Sequence, residues 1–113
     1  MDSARLLDLG YDKVTKSENK TITGGYCGDL LSWVMGRART GDVWFTIMGN
    51  MNMLAVASLT ETAAIVLCDG VTLADDVISK ANEENINIYC TKLSVYEATC
   101  RFHDLFTREV NDN

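Results

Sequence analysis

The sequence predicts an α/β fold, a three-layer α/β/α sandwich with a mainly parallel sheet of four or five strands. Three observations lead to this fold class. Apolar runs of strand length alternate with segments of helical periodicity. One of these runs, residues 63–68 (Ala-Ala-Ile-Val-Leu-Cys), is apolar throughout, as in strands covered on both faces. Helices between successive strands imply right-handed crossovers, which make neighbouring strands parallel.

The first half of the chain is divided by its glycines. Gly10 ends a short first helix. Gly24 and Gly25 stop a β-branched run, and Gly41 ends a second helix. The predicted elements are a helix over Ser3–Leu9, strands over residues 11–15 and 21–23, and a helix that carries Leu30, Leu31, Val34, Met35 and Ala38.

The second half alternates strand and helix more regularly. Thr72 with Asp75, and Ser94 with Glu97, have the spacing of capping boxes and predict two helix starts. The predicted strands cover residues 43–48, 63–68 and 86–90. The predicted helices cover Met51–Thr60, residues 72–85, and a last segment whose apolar face carries Val95, Ala98, Phe102, Leu105 and Phe106.

Composition limits the classes of function. The 113 residues suit one domain over residues 1–113, with ordinary hydrophobic and charged fractions. The net charge of −6 repels phosphate backbones and anionic headgroups, and Arg37 with Arg39 is the best local basic patch. No run approaches the ~20 apolar residues of a membrane span, and no signal peptide is visible. We expect a cytoplasmic protein that binds neither nucleic acid nor membranes.

A candidate ligand site follows from the predicted strand ends, because ligands of open parallel sheets bind beyond the carboxyl ends of the strands. Those positions are small, polar and glycine-rich here, which suits a small anion or phosphate on helix amino ends near Asp29 and Asn52. The alternative is that glycine and asparagine simply make the tight turns there. The candidate ligand-binding residues are Gly24, Gly25, Cys27, Asp29, Asn50, Asn52, Asp69 and Thr91.

Catalytic motifs are scarce. The sequence contains neither the dinucleotide pattern Gly-x-Gly-x-x-Gly nor a Gly-x4-Gly-Lys-Ser/Thr phosphate loop. The single histidine, His103, has no partner at zinc-motif spacing and is typical of a surface residue. We therefore predict no cofactor, no metal and no enzymatic activity. If the chain is an enzyme, its charged participants are Asp29, Asp69 and Lys92.

The four cysteines allow a sharper hypothesis. Cys27 lies near a helix amino end, which lowers a thiol pKa, and Cys68 and Cys90 both follow predicted strands. The three thiols could therefore cluster at one edge of the sheet and sense redox state or a metal. The alternative is that each cysteine is a small buried hydrophobe. No Cys-x-x-Cys occurs, which is typical of reduced cytosolic thiols.

Two aromatic and apolar features bear on association. Trp44 lies in a predicted strand and belongs to the core, whereas Trp33 lies on the outer face of its helix, where it suits a protein interface. The helix over Met51–Thr60 is apolar on more than one face, which indicates a homodimer contact. A fully covered crossover helix explains the same pattern.

Several stretches resemble the DRTGG domain family. Residues 22–32 (Ile-Thr-Gly-Gly-Tyr-Cys-Gly-Asp-Leu-Leu-Ser) carry a Gly-Gly-Tyr followed by Asp-Leu-Leu-Ser, as the amino half of those domains commonly does. Further similar stretches occur at residues 41–47, 50–52, 63–66 and 94–98. The resemblance runs from about residue 10 to residue 108, and the chain is identified as a single DRTGG-like domain.

The resemblance implies a fold similar to the amino-terminal domain of HPr kinase/phosphorylase, and a role in dimerisation and regulation. DRTGG domains occur beside CBS domains in regulated pyrophosphatases and as stand-alone proteins, some near iron-only hydrogenase genes. The family has no established active site, so no catalytic residue is carried over. This chain departs from the family at its name motif, at Gly28, where a small hydroxyl residue is expected, and at Trp33, where an acidic residue is common.

Two functional hypotheses follow. The first is a non-catalytic regulatory and dimerisation module that binds a small ligand, such as a nucleotide or anion, or a partner protein. The alternative is a redox- or metal-linked accessory protein that uses Cys27, Cys68 and Cys90, associated with an iron-only hydrogenase system.

Overall fold

The computed structural model describes residues 1–111. Its strands are β1 (Asp12–Lys13), β2 (Gly24–Cys27), β3 (Asp42–Thr46), β4 (Ala64–Leu67) and β5 (Ile88–Cys90). Its α-helices are α1 (Leu31–Arg37), α2 (Met51–Thr60), α3 (Asp75–Glu83) and α4 (Val95–Asn111), and a 3₁₀ helix covers Ser3–Leu9. Within residues 1–111, no helix has the length and apolar character needed to cross a membrane.

The five strands form one sheet in the order β1-β5-β4-β3-β2. Strands β2 to β5 are parallel, and β1 is antiparallel to β5, which confirms the predicted mainly parallel sheet. The parallel strands follow one another in chain order, so right-handed crossovers place α1, α2 and α3 on the same face. Helix α4 and the 3₁₀ helix cover the other face, which completes the three layers.

The core lies in two parts, one on each face of the sheet. Trp44 is 0% exposed on the face of α1 to α3, as the sequence predicts, and its Nε1 donates to the Gly28 carbonyl at 2.8 Å. On the opposite face, the buried Tyr11 hydroxyl donates to the Ala98 carbonyl at 2.6 Å. Both aromatic side chains thus bury their rings and keep a partner for their polar atom.

The predicted helix ends are partly confirmed. Gly10 ends the 3₁₀ helix with φ of +83°, a conformation that glycine adopts at no steric cost. The Ser94 hydroxyl accepts from the Glu97 amide at 3.1 Å and caps α4.

The capping box predicted at Thr72 is wrong, because α3 begins three residues later, at Asp75, and has no side-chain cap. The preceding segment is extended and packs Leu73 against the core. An added Cβ at Gly49 would lie 3.0 Å from Val71 and 3.3 Å from Leu73, so this segment passes close to the loop after β3. Packing of Leu73 therefore outweighs the local cap.

The strand predicted over residues 21–23 is also wrong. The strand is β2, and it begins at Gly24, where the sequence predicts that the strand stops. Gly24 and Gly25 pair with Asp42 and Val43 of β3 as ordinary members of the ladder. Contacts made by neighbouring elements explain why glycine stands here, as described below.

Candidate ligand-binding site at the edge strand

The predicted polar residues at the carboxyl ends of β2 and β3 are engaged in local structure. The Asp29 carboxylate accepts from the Thr46 hydroxyl at 2.7 Å and from the Ile47 amide at 3.0 Å. This carboxylate therefore ties the loop after β2 to the end of β3. Asn50 caps α2, since its Oδ1 accepts from the Met53 amide at 3.0 Å. Asn52 is exposed in the first turn of that helix.

The residues after β4 and β5 build a pair of interlocked turns. Asp69 has φ of +58°, and its amide donates to the Leu93 carbonyl at 2.8 Å. Thr91 accepts from the Gly70 amide through its carbonyl at 3.0 Å and from the Leu93 amide through its hydroxyl at 3.2 Å. The neighbouring Lys92 is exposed. These contacts explain the residue types at this edge, and ligand binding there stays a prediction.

Gly24 and Gly25 do not lie in a loop at the carboxyl end of a strand. They open β2, and each allows a side chain from another element to approach the backbone. An added Cβ on Gly24 would lie 2.8 Å from Asp42 Oδ1, and one on Gly25 would lie 3.2 Å from Phe102 Cε2. The glycine pair thus lets Asp42 pack against one face of the edge strand and α4 against the other.

The three cysteines do not meet. Cys68 packs into the core on the face of α4, whereas Cys90 packs against the core on the opposite face of the sheet. Cys27 is exposed at the end of β2, with its Sγ 3.2 Å from the Thr99 hydroxyl of α4. The predicted thiol cluster is therefore wrong.

The surroundings of Cys68 and Cys90, the two more buried thiols, also argue against a reactive thiol site. Burial raises the pKa of Cys68 to about 12, and the charges of Asp69 and Cys27 add to the shift. Burial, with Asp12, also raises the pKa of Cys90. A reactive thiol needs the opposite shift. Within residues 1–111, no group of three His, Cys, Asp or Glu side chains is placed to hold a metal ion.

Strand β2 is an edge strand, paired with β3 alone in the described part of the chain, and a groove flanks it on each face. We call the groove on the side of α1 the arginine groove. Its volume is about 460 Å³, and its lining residues are Thr23, Gly24, Gly25, Tyr26, Arg37, Arg39, Thr40 and Asp42. We call the groove on the side of α4 the phenylalanine groove. Its volume is about 230 Å³, and its lining residues are Gly25, Tyr26, Cys27, Phe45, Thr99, Phe102, His103, Phe106 and Thr107.

The arginine groove carries local positive charge in an acidic protein. The ion pairs found within residues 1–111 join Arg5 to two carboxylates and Lys80 to one, and they involve neither Arg37 nor Arg39. The Arg37 guanidinium carbon lies 4.1 Å from the centroid of the Trp33 ring, which is 55% exposed. A cation–π contact of this kind favours one position of the guanidinium without neutralising its charge.

Asp42 also lines this groove and is only 7% exposed. Its Oδ2 accepts from the Arg39 amide at 2.8 Å. Its Oδ1 lies over Gly24 and has no hydrogen-bond partner among residues 1–111. The groove therefore combines two guanidinium groups with one carboxylate oxygen that can accept a hydrogen bond. Sequence reasoning named the two arginines as a basic patch and missed Asp42, whose proximity to Gly24 depends on strand pairing.

The phenylalanine groove is mainly apolar. The rings of Phe45 and Phe102 lie 5.4 Å apart, and Phe102 stacks on Phe106 at the same centroid distance. His103 is exposed at the rim of this groove, and the sequence predicts a surface residue at this position. This groove suits an apolar group, whereas the arginine groove suits a charged one.

The fold and the two grooves define an open α/β sandwich with a groove on either side of an edge strand. No family model matches the sequence, and no curated protein matches it. Among solved structures, the chain is similar to the CBS and DRTGG domains of the regulatory region of Clostridium perfringens pyrophosphatase, determined with its activator, diadenosine tetraphosphate. The TM-score is 0.68 at 15% sequence identity, over 86% of this chain and 44% of the other. The likeness shows a CBS- and DRTGG-like fold, and this chain spans less than half of the protein it matches.

Proposed function

We propose that this chain is a regulatory ligand-binding module of the DRTGG type. The open edge of β2, flanked by a groove of about 460 Å³ that lies in the range of small-molecule sites, is the observation that carries the proposal. The likeness to a regulatory region whose structure holds a nucleotide activator supports the same assignment. The stretches at residues 22–32 and 41–47 that resemble DRTGG domains contribute β2, β3 and most of the arginine groove.

The module has no catalytic activity of its own in this proposal. The Asp29 carboxylate, one of the charged participants expected if the chain were an enzyme, is held by the end of β3. Lys92 and His103 are exposed and lie on different elements. Four free thiols fit a reducing compartment, and we place the module in the cytoplasm.

A thermal-shift screen of the purified chain tests ligand binding. The probes are adenine nucleotides, dinucleotides, small phosphates and divalent metals. A ligand at about a thousand times its dissociation constant stabilises the folded state by about 4 kcal/mol, which raises the melting temperature by many degrees in a domain of this size. We expect at least one phosphorylated compound to do so and to be recovered unchanged afterwards. A screen without any shift overturns ligand binding, and conversion of a bound compound overturns the non-catalytic role.

We also propose that the module forms a homodimer through α2. Met51, Ala55 and Leu59 recur every four residues on the exposed side of this helix, and Leu59 is 71% exposed. Two copies related by a two-fold axis can pack these stripes against each other. Sedimentation velocity at micromolar concentration should show a dimer that Leu59→Glu converts to a monomer. Tyr96→Glu changes a residue that is 78% exposed on α4 and should leave the dimer intact. A monomeric wild-type chain contradicts the dimer.

A further inference from the structure

We propose that the arginine groove binds a phosphorylated sugar, either free or as part of a nucleotide. This inference rests on the proposed function and names the ligand class and the site. Arg37 and Arg39 hold the phosphate, and Asp42 accepts a hydrogen bond from a sugar hydroxyl. The groove volume of about 460 Å³ lies in the range of small-molecule sites.

The phosphate assignment depends on the state of the two arginines. Arg37 and Arg39 both line the groove, both are exposed, and the ion pairs within residues 1–111 do not include either. A guanidinium group presents several donors in a planar fork that matches phosphate oxygens. Two such groups at one groove form a local phosphate site on a chain whose net charge is −6.

The position of Arg37 is restricted before any ligand arrives. Its guanidinium carbon lies 4.1 Å from the centroid of the Trp33 ring, one helical turn earlier on α1. Stacking of this kind leaves the edge of the guanidinium plane available for hydrogen bonds. Less conformational entropy is then lost when Arg37 binds an anion, because fewer rotamers are populated in the free protein.

The carboxylate of Asp42 favours a ligand that carries a hydrogen-bond donor besides its phosphate oxygens. A carboxylate repels the anionic oxygens of a phosphate, so it favours binding only where the ligand also brings a hydrogen-bond donor. Asp42 Oδ1 lies over Gly24 in the groove wall and lacks a partner among residues 1–111. A hydroxyl group can donate to this oxygen, and a phosphorylated sugar supplies both the hydroxyl and the anion.

The absence of a side chain at position 24 keeps this oxygen in place. An added Cβ there would lie 2.8 Å from Asp42 Oδ1 and would displace the carboxylate. The Arg39 amide holds the other oxygen, Oδ2, so Asp42 cannot turn away without losing that hydrogen bond. Gly24, Asp42 and Arg39 therefore form one unit of the groove wall.

Tryptophan fluorescence provides the readout, because Trp33 is exposed beside Arg37 and Trp44 is buried. The intact chain is titrated with ADP, ribose 5-phosphate, inorganic phosphate and adenosine. We expect ADP and ribose 5-phosphate to change the tryptophan fluorescence until it saturates. Inorganic phosphate should bind much more weakly, and adenosine should not bind. Binding of ADP without ribose 5-phosphate would assign the site to nucleotides, and similar binding of both would assign it to the sugar phosphate. The Trp33→Phe variant should lose the fluorescence change.

Variants of the groove complete the test. Arg37→Gln and Arg39→Gln should each weaken binding of both ligands at least about tenfold, because each removes charge-assisted hydrogen bonds. Arg101→Gln makes the same change of charge on α4, away from the groove, and should keep the wild-type affinity. Asp42→Asn should reduce the preference for ribose 5-phosphate over inorganic phosphate. Unliganded melting temperatures are compared to exclude unfolding as the cause.

Two results overturn the inference. One is the absence of a saturable signal with ADP and ribose 5-phosphate. The other is unchanged affinity in the double variant Arg37→Gln, Arg39→Gln. If the double variant still shows the thermal shift of the wild type with a phosphorylated compound, the chain binds ligands elsewhere, and the proposed function survives without this site. If no compound in the screen raises the melting temperature of the wild type, the proposed function and this inference are both overturned.

Discussion

Arg37 and Trp33 face each other on α1, with the guanidinium carbon 4.1 Å from the ring centroid. Both side chains lie at the surface, and the pair stands beside the groove that flanks the edge strand. Because Trp33 is exposed and contacts a cation of the groove, its fluorescence should change when a ligand binds there. The second tryptophan, Trp44, is sequestered in the core and reports on folding.

The two tryptophans should differ in quenching and in stability. Acrylamide should quench Trp33 emission strongly, and Trp33→Phe should remove most of the quenchable signal while changing the free energy of unfolding by less than about 0.5 kcal/mol. Trp44→Phe should destabilise the fold by about 1–3 kcal/mol, because it leaves a cavity and deprives the Gly28 carbonyl of its donor. Urea unfolding of both variants checks the difference. Equal destabilisation would contradict the placement of the two rings.

Gly24→Ala should destabilise the fold by about 1–3 kcal/mol, because the new Cβ would meet Asp42 Oδ1 at 2.8 Å. The matched control is Gly36→Ala on α1, where an added Cβ meets no atom within 4 Å. That substitution should stabilise the helix by about 0.5–1 kcal/mol. Urea midpoints of the two variants should therefore move in opposite directions. A neutral Gly24→Ala would mean that the Asp42 carboxylate moves aside freely.

Asp29→Ala should lower the free energy of unfolding by about 1–3 kcal/mol. The substitution leaves the Thr46 hydroxyl and the Ile47 amide without their acceptor. Asp29→Asn retains an acceptor oxygen, so its free energy of unfolding should lie between those of Asp29→Ala and the wild type. The control is Asp69→Asn, since asparagine also tolerates the left-handed conformation at φ of +58°. It should change stability by less than about 0.5 kcal/mol. If Asp29→Ala is as stable as the control, the loop contact contributes nothing.

Stability should fall at alkaline pH because of Cys68. Burial raises its pKa in the folded protein from 9.0 to about 12, so the unfolded chain loses this proton at lower pH than the folded one. The protonated Cys68 thiol makes its full contribution to the free energy of unfolding below pH 9, and this contribution is lost as the pH rises to about 12. Burial also raises the pKa of Tyr11, which acts in the same direction.

Urea midpoints measured from pH 7 to pH 11 check this expectation. Cys68→Ala should flatten the alkaline decline, although it lowers stability at neutral pH through the lost packing. Cys100→Ala removes an exposed thiol of α4 and should keep the decline, because Cys68 is retained. An identical pH profile in the wild type and Cys68→Ala would contradict a buried thiol at this position.

Most of the sheet could be predicted from the sequence because its strands are locally distinct. The run at residues 63–68 is apolar enough to identify a strand buried on both faces, and β4 lies within it. The β2 strand was missed because its first residues are glycines, which locally favour turns. They form a strand because they pair with Asp42 and Val43 of β3, which lie farther along the chain. Such contacts leave no signal in the residues around position 24.

The candidate site was less predictable than the fold. The expected cluster of Cys27, Cys68 and Cys90 does not form, because successive side chains of a strand lie on opposite faces of the sheet. Leu67 pairs with Cys90, so the next residue, Cys68, faces the other side of the sheet. A single sequence does not give the register between strands, and one residue of register decides which face a side chain occupies. The arginine groove depends on the same information, since it combines β2, α1 and the start of β3.

The most direct test of ligand binding at the edge strand is a map of backbone amide shifts by heteronuclear NMR, recorded as ADP is added to the isotopically labelled chain. Binding in the arginine groove should give the largest shifts within residues 23–26 and 37–42, the two segments that supply its lining residues. Shifts concentrated at Asp29, Asn50, Asp69 and Thr91 would place the ligand at the carboxyl ends of the strands and contradict binding in the arginine groove. A spectrum unchanged at saturating ADP and ribose 5-phosphate would contradict binding of this ligand class altogether.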